Sequence, residues 1–283
     1  MNLRQVRTKI KSVGNVKKIT KAMQLVSAIK MKKAQAAAIE AAPYRETLEE
    51  IIRKITARID ISQSPLLLKP TDSKERDLII FVSSNKGLAG TFHTNLARYA
   101  FKNIKFEDSD FITIGRKAGV FVSGAGGKVI ADFVSMSPLS DVSAIFNLAL
   151  EKFLAKEYRS VSVVYNKFIS TLRSETVREI ILPFALNMQE NVAENNEKEY
   201  LIEPSPTEII DPLLRNYIEE KIRGAILNSE AVEHSSRMIA MKNATDNAND
   251  LIYSLTLLSN RIRQARITGE LLDMITAKES VEN

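Results

Sequence analysis

The sequence contains no cysteine. That absence excludes disulfides, thiolate metal sites, cysteine nucleophiles and thiol regulation. Only two histidines occur, His93 and His234, far apart and without a motif around either. A zinc site or a histidine-centred catalytic group is therefore not expected, and no metal or cofactor site is assigned. No run of about 18 apolar residues is present, so no segment is expected to enter or cross a bilayer. Acid is missing from residues 1–39, which carry ten Lys and Arg, Glu40 being the first acidic residue. With 40 basic and 34 acidic residues in all, the remainder has 30 against 34, a net charge of −4. The basicity belongs to the amino-terminal segment alone. A mitochondrial transit peptide would share that bias, but this one runs into a lysine-rich helical pattern without a small-residue cleavage signal.

What is present at both ends is helix. Residues 1–60 hold one glycine, Gly14, and one proline, Pro43, among good helix formers. Their apolar positions step as Leu3, Val6, Ile10, Val13, Val16, Ile19, Met23 and Val26, a helix-packing seam whose heptad is interrupted between Val13 and Ile19. Pro43 is expected to kink the helix or end its first part. Near the other end, Met241, Ala244, Ala248, Leu251, Leu255, Leu258, Ile262 and Ala265 alternate steps of three and four without a miss. The series extends back through Met238, His234, Ala231 and Leu227, which makes His234 a seam residue. Asp211 and Pro212 suit an N-cap and first helical position.

Between the helices the pattern changes. DLIIFVSS (77–84), DFITIG (110–115), KVIADF (128–133) and SVSVVYN (160–166) read as strands, with helices near 90–103 and 140–157. This alternation predicts an α/β domain with a largely parallel sheet over 76–185. Residues 187–206 read as a loop or mobile connection. The expected organisation is thus a coiled-coil helix over 1–60, the α/β domain over 76–185 and a second coiled-coil helix over 207–277. Pairing the two terminal helices antiparallel buries both seams and leaves a Rossmann-like α/β domain inserted between them. Leu25, Met31, Ile267, Leu271, Met274 and Ile275 lie off the seams, and apolar residues on the outside of a coiled coil mark a contact surface.

Two stretches imitate nucleotide-binding loops. NKGLAG (85–90) follows a strand and precedes a helix, but lacks the third glycine of a dinucleotide fingerprint. SGAGGK (123–128) fails as a P-loop because Val122 stands where the first glycine is needed and Val129 follows Lys128. Carboxylate pairs such as Glu49–Glu50 and Glu219–Glu220 lie in helical polar contexts and read as solvated faces. No catalytic constellation emerges.

RTKIKSVGNVKKITKAMQLVSAIKMKKAQ (7–35) and RMIAMKNATDNANDLIYSLTLLSNRIRQARITGELLDMI (237–275) resemble the gamma subunits of rotary F-type ATP synthases. SSNKGLAG (83–90), YNKF (165–168) and EPSPTEIIDPLLRNYIEEKI (203–222) extend the likeness, in order, over nearly the whole chain. The resemblance implies a non-catalytic rotor on the central stalk, carrying torque between proton flow and ATP synthesis without binding nucleotide. Its implied partners are the alpha and beta subunits of the catalytic hexamer, the epsilon subunit and the membrane c-ring, at the cytoplasmic face of a bacterial plasma membrane. By motif, Lys18, Lys21 and Met23 match the amino-terminal helix contacts with a beta subunit. Arg237, Arg263, Gln264, Thr268 and Glu270 match the carboxyl-helix contacts, and Glu203 and Pro204 match the foot near the c-ring. Ala89, Thr91 and Gly269 depart from the family's usual residues. The rival reading is a basic coiled coil that binds nucleic acid or an anionic membrane, motivated by the ten amino-terminal cations. Aromatic residues for base stacking are missing there, and apolar residues interrupt the basic face, which disfavours it.

Overall fold

The computed structural model describes residues 2–57, 59, 64–68, 75–184, 202–203 and 205–282, with side chains through 278. Pro204 and most of the connection expected over 187–206 lie outside the described residues. The chain divides into two compact units, one of residues 1–28 with 237–283 and one of residues 29–236. Two long helices, α1 (Leu3–Thr56) and α5 (Pro206–Glu282), contribute to both.

Pro43 lies inside α1 and does not end it. The expected start of α5 at Asp211 is corrected, because Pro206 is its first residue and Pro212 lies within it. The reason is an N-cap at Ser205, one residue upstream of Pro206. Ser205 Oγ accepts from the Glu208 N–H (3.4 Å) and donates to the Glu208 carboxylate (2.9 Å), with proline at the first helical position. Asp211 is free for another task and accepts a hydrogen bond from Ser64 Oγ (2.5 Å).

In the unit of residues 29–236, five strands form one sheet in the order β3-β2-β1-β4-β5. They are β1 (Asp77–Val82), β2 (Ser109–Ile114), β3 (Lys128–Phe133), β4 (Ser160–Phe168) and β5 (Ser174–Leu182). The first four are parallel and β5 runs antiparallel along β4. Both β1 and β2 are buried throughout, as central strands covered on two faces must be. One face carries α2 (Phe92–Asn103) and α3 (Arg116–Gly124), with Leu96, Ala100, Ala118 and Val122 packed on Ile79, Phe81 and Phe111. The other carries α4 (Val142–Leu154) together with the terminal helices. There Leu48, Ile52 and Ile55 of α1 and Ile210, Leu214, Ile218 and Ile222 of α5 join the core of Leu78, Ile80 and Val163. The α/β domain therefore shares its main core with both terminal helices rather than closing one of its own.

Within this unit α1 and α5 run antiparallel. Arg45 lies against Gly224, where an added Cβ would meet its guanidinium at 2.5 Å, and Tyr217 Oη donates to Glu49 (2.7 Å). Asn216 donates to Tyr44 Oη (2.8 Å). Lys30, further back along α1, faces Glu230, further on along α5.

In the other unit, α1 presents an uninterrupted heptad. Its heptad runs Leu3, Val6, Ile10, Val13, Lys17, Thr20, Gln24 and Ser27, all covered, with Gly14, Met23 and Ala28 half-buried beside it. Val16, Ile19 and Val26, expected in the seam, are instead 52%, 60% and 54% exposed. The expected interruption is an artefact of following apolar residues alone, since polar side chains hold the true register. Thr20 and Thr245 share a buried hydrogen bond (2.7 Å), in which one hydroxyl donates and the other accepts, and the accepting hydroxyl gives its own proton to a carbonyl of its helix, Lys17 O for Thr20 or Met241 O for Thr245. Back-bonding of this kind lets a hydroxyl enter a helix interface without an orphaned donor. On α5 the covered series is Met241, Thr245, Ala248, Ile252, Leu255, Ser259 and Ile262, so Leu251 and Leu258 of the expected seam face outward and Ala265 is exposed. Met31, expected off the seam, is buried.

With these helices antiparallel, the Thr20–Thr245 bond sets Leu3 level with Ile262. That is where the covered positions of α5 stop, apart from Gly269. Residues 263–278 run past the start of α1 with exposed side chains on nearly every side.

Candidate functional site

The residues that the motifs single out on the helix pair do not form one cluster. They fall at three levels along α5 and the facing α1. Lys18, Lys21 and Met23 stand level with residues 242–247 by the threonine register. Lys18 and Lys21 are exposed and Met23 is half-buried. Lys21 Nζ donates to Gln24 Oε1 (3.2 Å), which holds the ammonium against its own helix. Arg263, Gln264, Thr268 and Glu270 occupy the unaccompanied end of α5, about 30 Å further along at 1.5 Å per residue. All four are exposed. Thr268 Oγ1 donates to Gln264 O (3.0 Å), and Glu270 pairs with Arg266 (2.8 Å), a partner the motif comparison did not mark. Arg237 forms the third level and differs in kind, being only 7% exposed. Glu203 is exposed just before α5, and Pro204 lies outside the described residues.

Around these levels the helices expose large apolar side chains. On α1 they are Val16, Ile19, Leu25 and Val26, and on the end of α5 they are Ile267, Leu271, Leu272, Met274 and Ile275. No helix among the described residues is long and apolar enough to cross a membrane. Apolar exposure on this scale is costly in water and marks a surface made for contact.

The loops that imitate nucleotide sites are explained by the fold. In 85–90, Leu88 and Gly90 have φ of 60° and 54°, so the segment turns tightly before α2. Ala89 is buried against Phe92 and Val232 of α5. In 123–128, Ser123 and Gly124 finish α3, and Gly126 has φ of 80°. A Cβ on Gly127 would come within 2.8 Å of Val122. Those glycines serve a sharp turn and a close packing contact.

The charged groups at the opposite strand ends form a structural network. Burial opposes ionisation of Asp77, but hydrogen bonds from Arg159, Ser160 and Arg178 outweigh it and hold the carboxyl well below the usual range. Tyr158 donates to Asp110 (2.8 Å), which also pairs with Arg76 (2.5 Å). Burial first, then the Asp110 bond, pushes the Tyr158 hydroxyl upward. These partners tie the starts of β1, β2 and β4 together.

The family described as ATP synthase matches residues 2–281 of this chain. The chain is 35% identical to the ATP synthase gamma chain of Akkermansia muciniphila, over 99% of both chains. It is 36% identical to the ATP synthase gamma chain of Clostridium perfringens, over 98% of both. The chain belongs to the ATP synthase gamma chain family. Its place is that of a non-catalytic subunit, the rotor of the central stalk. The fold agrees with a chain in the structure of the Euglena gracilis mitochondrial ATP synthase OSCP/F1/c-ring assembly, with a TM-score of 0.69. That likeness covers 99% of this chain and 94% of the other at 16% identity. A second chain, from the rotor of the same enzyme, aligns with a TM-score of 0.62.

Proposed function

We propose that the unaccompanied end of α5 and the exposed face of α1 are the bearing surfaces of this rotor inside the hexamer of alpha and beta subunits. The observation that carries the reading is the run of residues 263–278, helical and exposed although α1 no longer accompanies it. A lone helix of this length is marginal in water and gains its stability from an apolar face buried elsewhere. Ile267, Leu271, Met274 and Ile275 supply such a face. Arg263 and Gln264 offer donors suited to carboxylates and backbone oxygens of a beta subunit, and Thr268 and Glu270 continue that level. Lys18 and Lys21, with Met23, meet acidic groups of a beta subunit at the second level. Arg237 serves at the third through its own buried surroundings. Contacts spread over levels share the load, so each can be weak enough to break during a step.

Glu203 and Pro204 belong to the foot, with the c-ring and epsilon subunit as neighbours. The division into segments 1–60, 76–185 and 207–277 then separates grip from foot. The complex would lie at the cytoplasmic face of a bacterial plasma membrane, held there through its partners. Co-purification with the hexamer followed by cross-linking from Met23→Cys and Arg263→Cys tests this reading. Cross-links to a beta subunit are expected from both positions. A hexamer that binds the chain yet cross-links from neither would overturn the assignment of these levels.

A further inference from the structure

The sheet changes direction between β1 and β4, which are parallel neighbours while β2 and β3 extend the other way. In open α/β sheets, ligands settle in the crevice beyond the carboxyl ends of the strands at such a reversal. Here the chain fills that crevice itself. Beyond β1 stand Ala89 and Phe92, Phe168 is the last residue of β4, and Val232 of α5 packs with them in a small apolar cluster of its own. Directional bonds frame the cluster. Asn228 Oδ1 accepts from the Phe168 N–H (3.3 Å), and Ser235 Oγ donates to Thr171 O (2.5 Å). Asn166, at the end of β4, donates to Phe92 O (3.4 Å) and accepts from Thr176 (2.6 Å).

We propose that α5 is the built-in ligand of this crevice, and that Asn228, Val232 and Ser235 are positioning residues that stop the α/β domain from turning or sliding on the helix. The inference rests on the rotor reading, because only a shaft under load needs such a lock. The rest of the attachment is mainly apolar, through Ile210, Leu214, Ile218 and Ile222, with side-chain pairs only at its rim, Ser143 donating to Glu219 (2.6 Å) and Lys221 beside Glu179 (3.8 Å). Apolar contact is strong but non-directional, so it opposes turning through burial and packing without fixing the exact register of the helix. Hydrogen bonds to fixed backbone groups at 168 and 171 have a required geometry and resist both motions. Val232 lies about 21 Å along the helix from Ile218, and two separated attachments resist a twist that one would yield to.

The test uses the assembled complex in sealed vesicles, reading ATP hydrolysis and ATP-driven proton pumping together. A complex with the unaltered chain that hydrolyses ATP and never pumps would remove the rotor reading itself. Given pumping, Asn228→Ala with Ser235→Ala is expected to retain hydrolysis and lose pumping per ATP hydrolysed. An unchanged ratio would overturn the lock. Should that variant fail to assemble, Thr171→Cys with Ser235→Cys decides the matter, since this chain has no other thiol. Its reduced form is expected to pump less per ATP, and its oxidised form to regain the ratio as the disulfide replaces the native bond. A ratio indifferent to oxidation of the cross-linked pair would overturn the proposal.

Discussion

Asp77 and Glu230 are both largely buried carboxylates, and their surroundings push them in opposite directions. Two guanidinium groups and a serine bind Asp77, so its folded-state pKa is depressed. Its contribution to stability is complete above the ordinary carboxylate value, near 3.8, and is lost as the pH falls below that. Asp77→Asn leaves Arg159 and Arg178 without their shared anion and is expected to cost about 3 kcal/mol at pH 7. Denaturant titration of both forms should show the gap closing below about pH 4. Glu230 is raised instead, first by burial and then by Glu233, with Lys30 offsetting part of the effect. Its charged form destabilises the fold as the pH rises through that raised pKa. Glu230→Gln is therefore expected to be the more stable protein at pH 7, with an advantage that fades to nothing below about pH 4.5, the ordinary glutamate value.

At the scale of elements, the helices were legible in outline and misread in phase. The apolar spacing on α5 correctly found Met241, Ala244, Ala248, Leu255 and Ile262 as covered positions, but periodicity counts only apolar residues. It therefore took Leu251 and Leu258, where the packed series uses Ile252 and Ser259. Thr20 and Thr245 carry no hydrophobic signal and yet set the register. Among the strands, β5 escaped because Glu175, Arg178 and Glu179 break its apolar pattern, as an edge strand permits. Helix α3 was hidden by Gly119 and Gly124, which lower helix propensity without preventing packing on the sheet. Gly269 lies in the unaccompanied part of α5, and an added Cβ there would meet no atom within 4 Å. Gly269→Ala is expected to stabilise that segment by about 1 kcal/mol. The effect should appear as roughly five-fold slower amide exchange across residues 263–278, provided the helix opens as a unit. Unchanged exchange would mean that glycine does not limit its helicity.

For the whole molecule, the candidate surfaces were legible only through motif resemblance. No single-residue chemistry distinguishes Lys18 or Gln264 from other exposed polar groups on a helix. What the structure adds is the level of the two helices: residues 263–278 lie past Leu3, the first residue of α1, and keep exposed apolar side chains. That fact depends on the register between distant segments, which no local window contains. The packing of Val232 and Asn228 of α5 against Ala89, Phe92 and Phe168 likewise joins segments far apart in the sequence.

Rotation of this chain as a shaft can be watched directly. Met136 is 90% exposed and the chain lacks native cysteine, so Met136→Cys offers a single attachment point for a rotational probe. With the hexamer fixed to a surface and supplied with ATP, sustained rotation of the probe in one direction is expected. A probe that stays fixed while the same complexes hydrolyse ATP would contradict it.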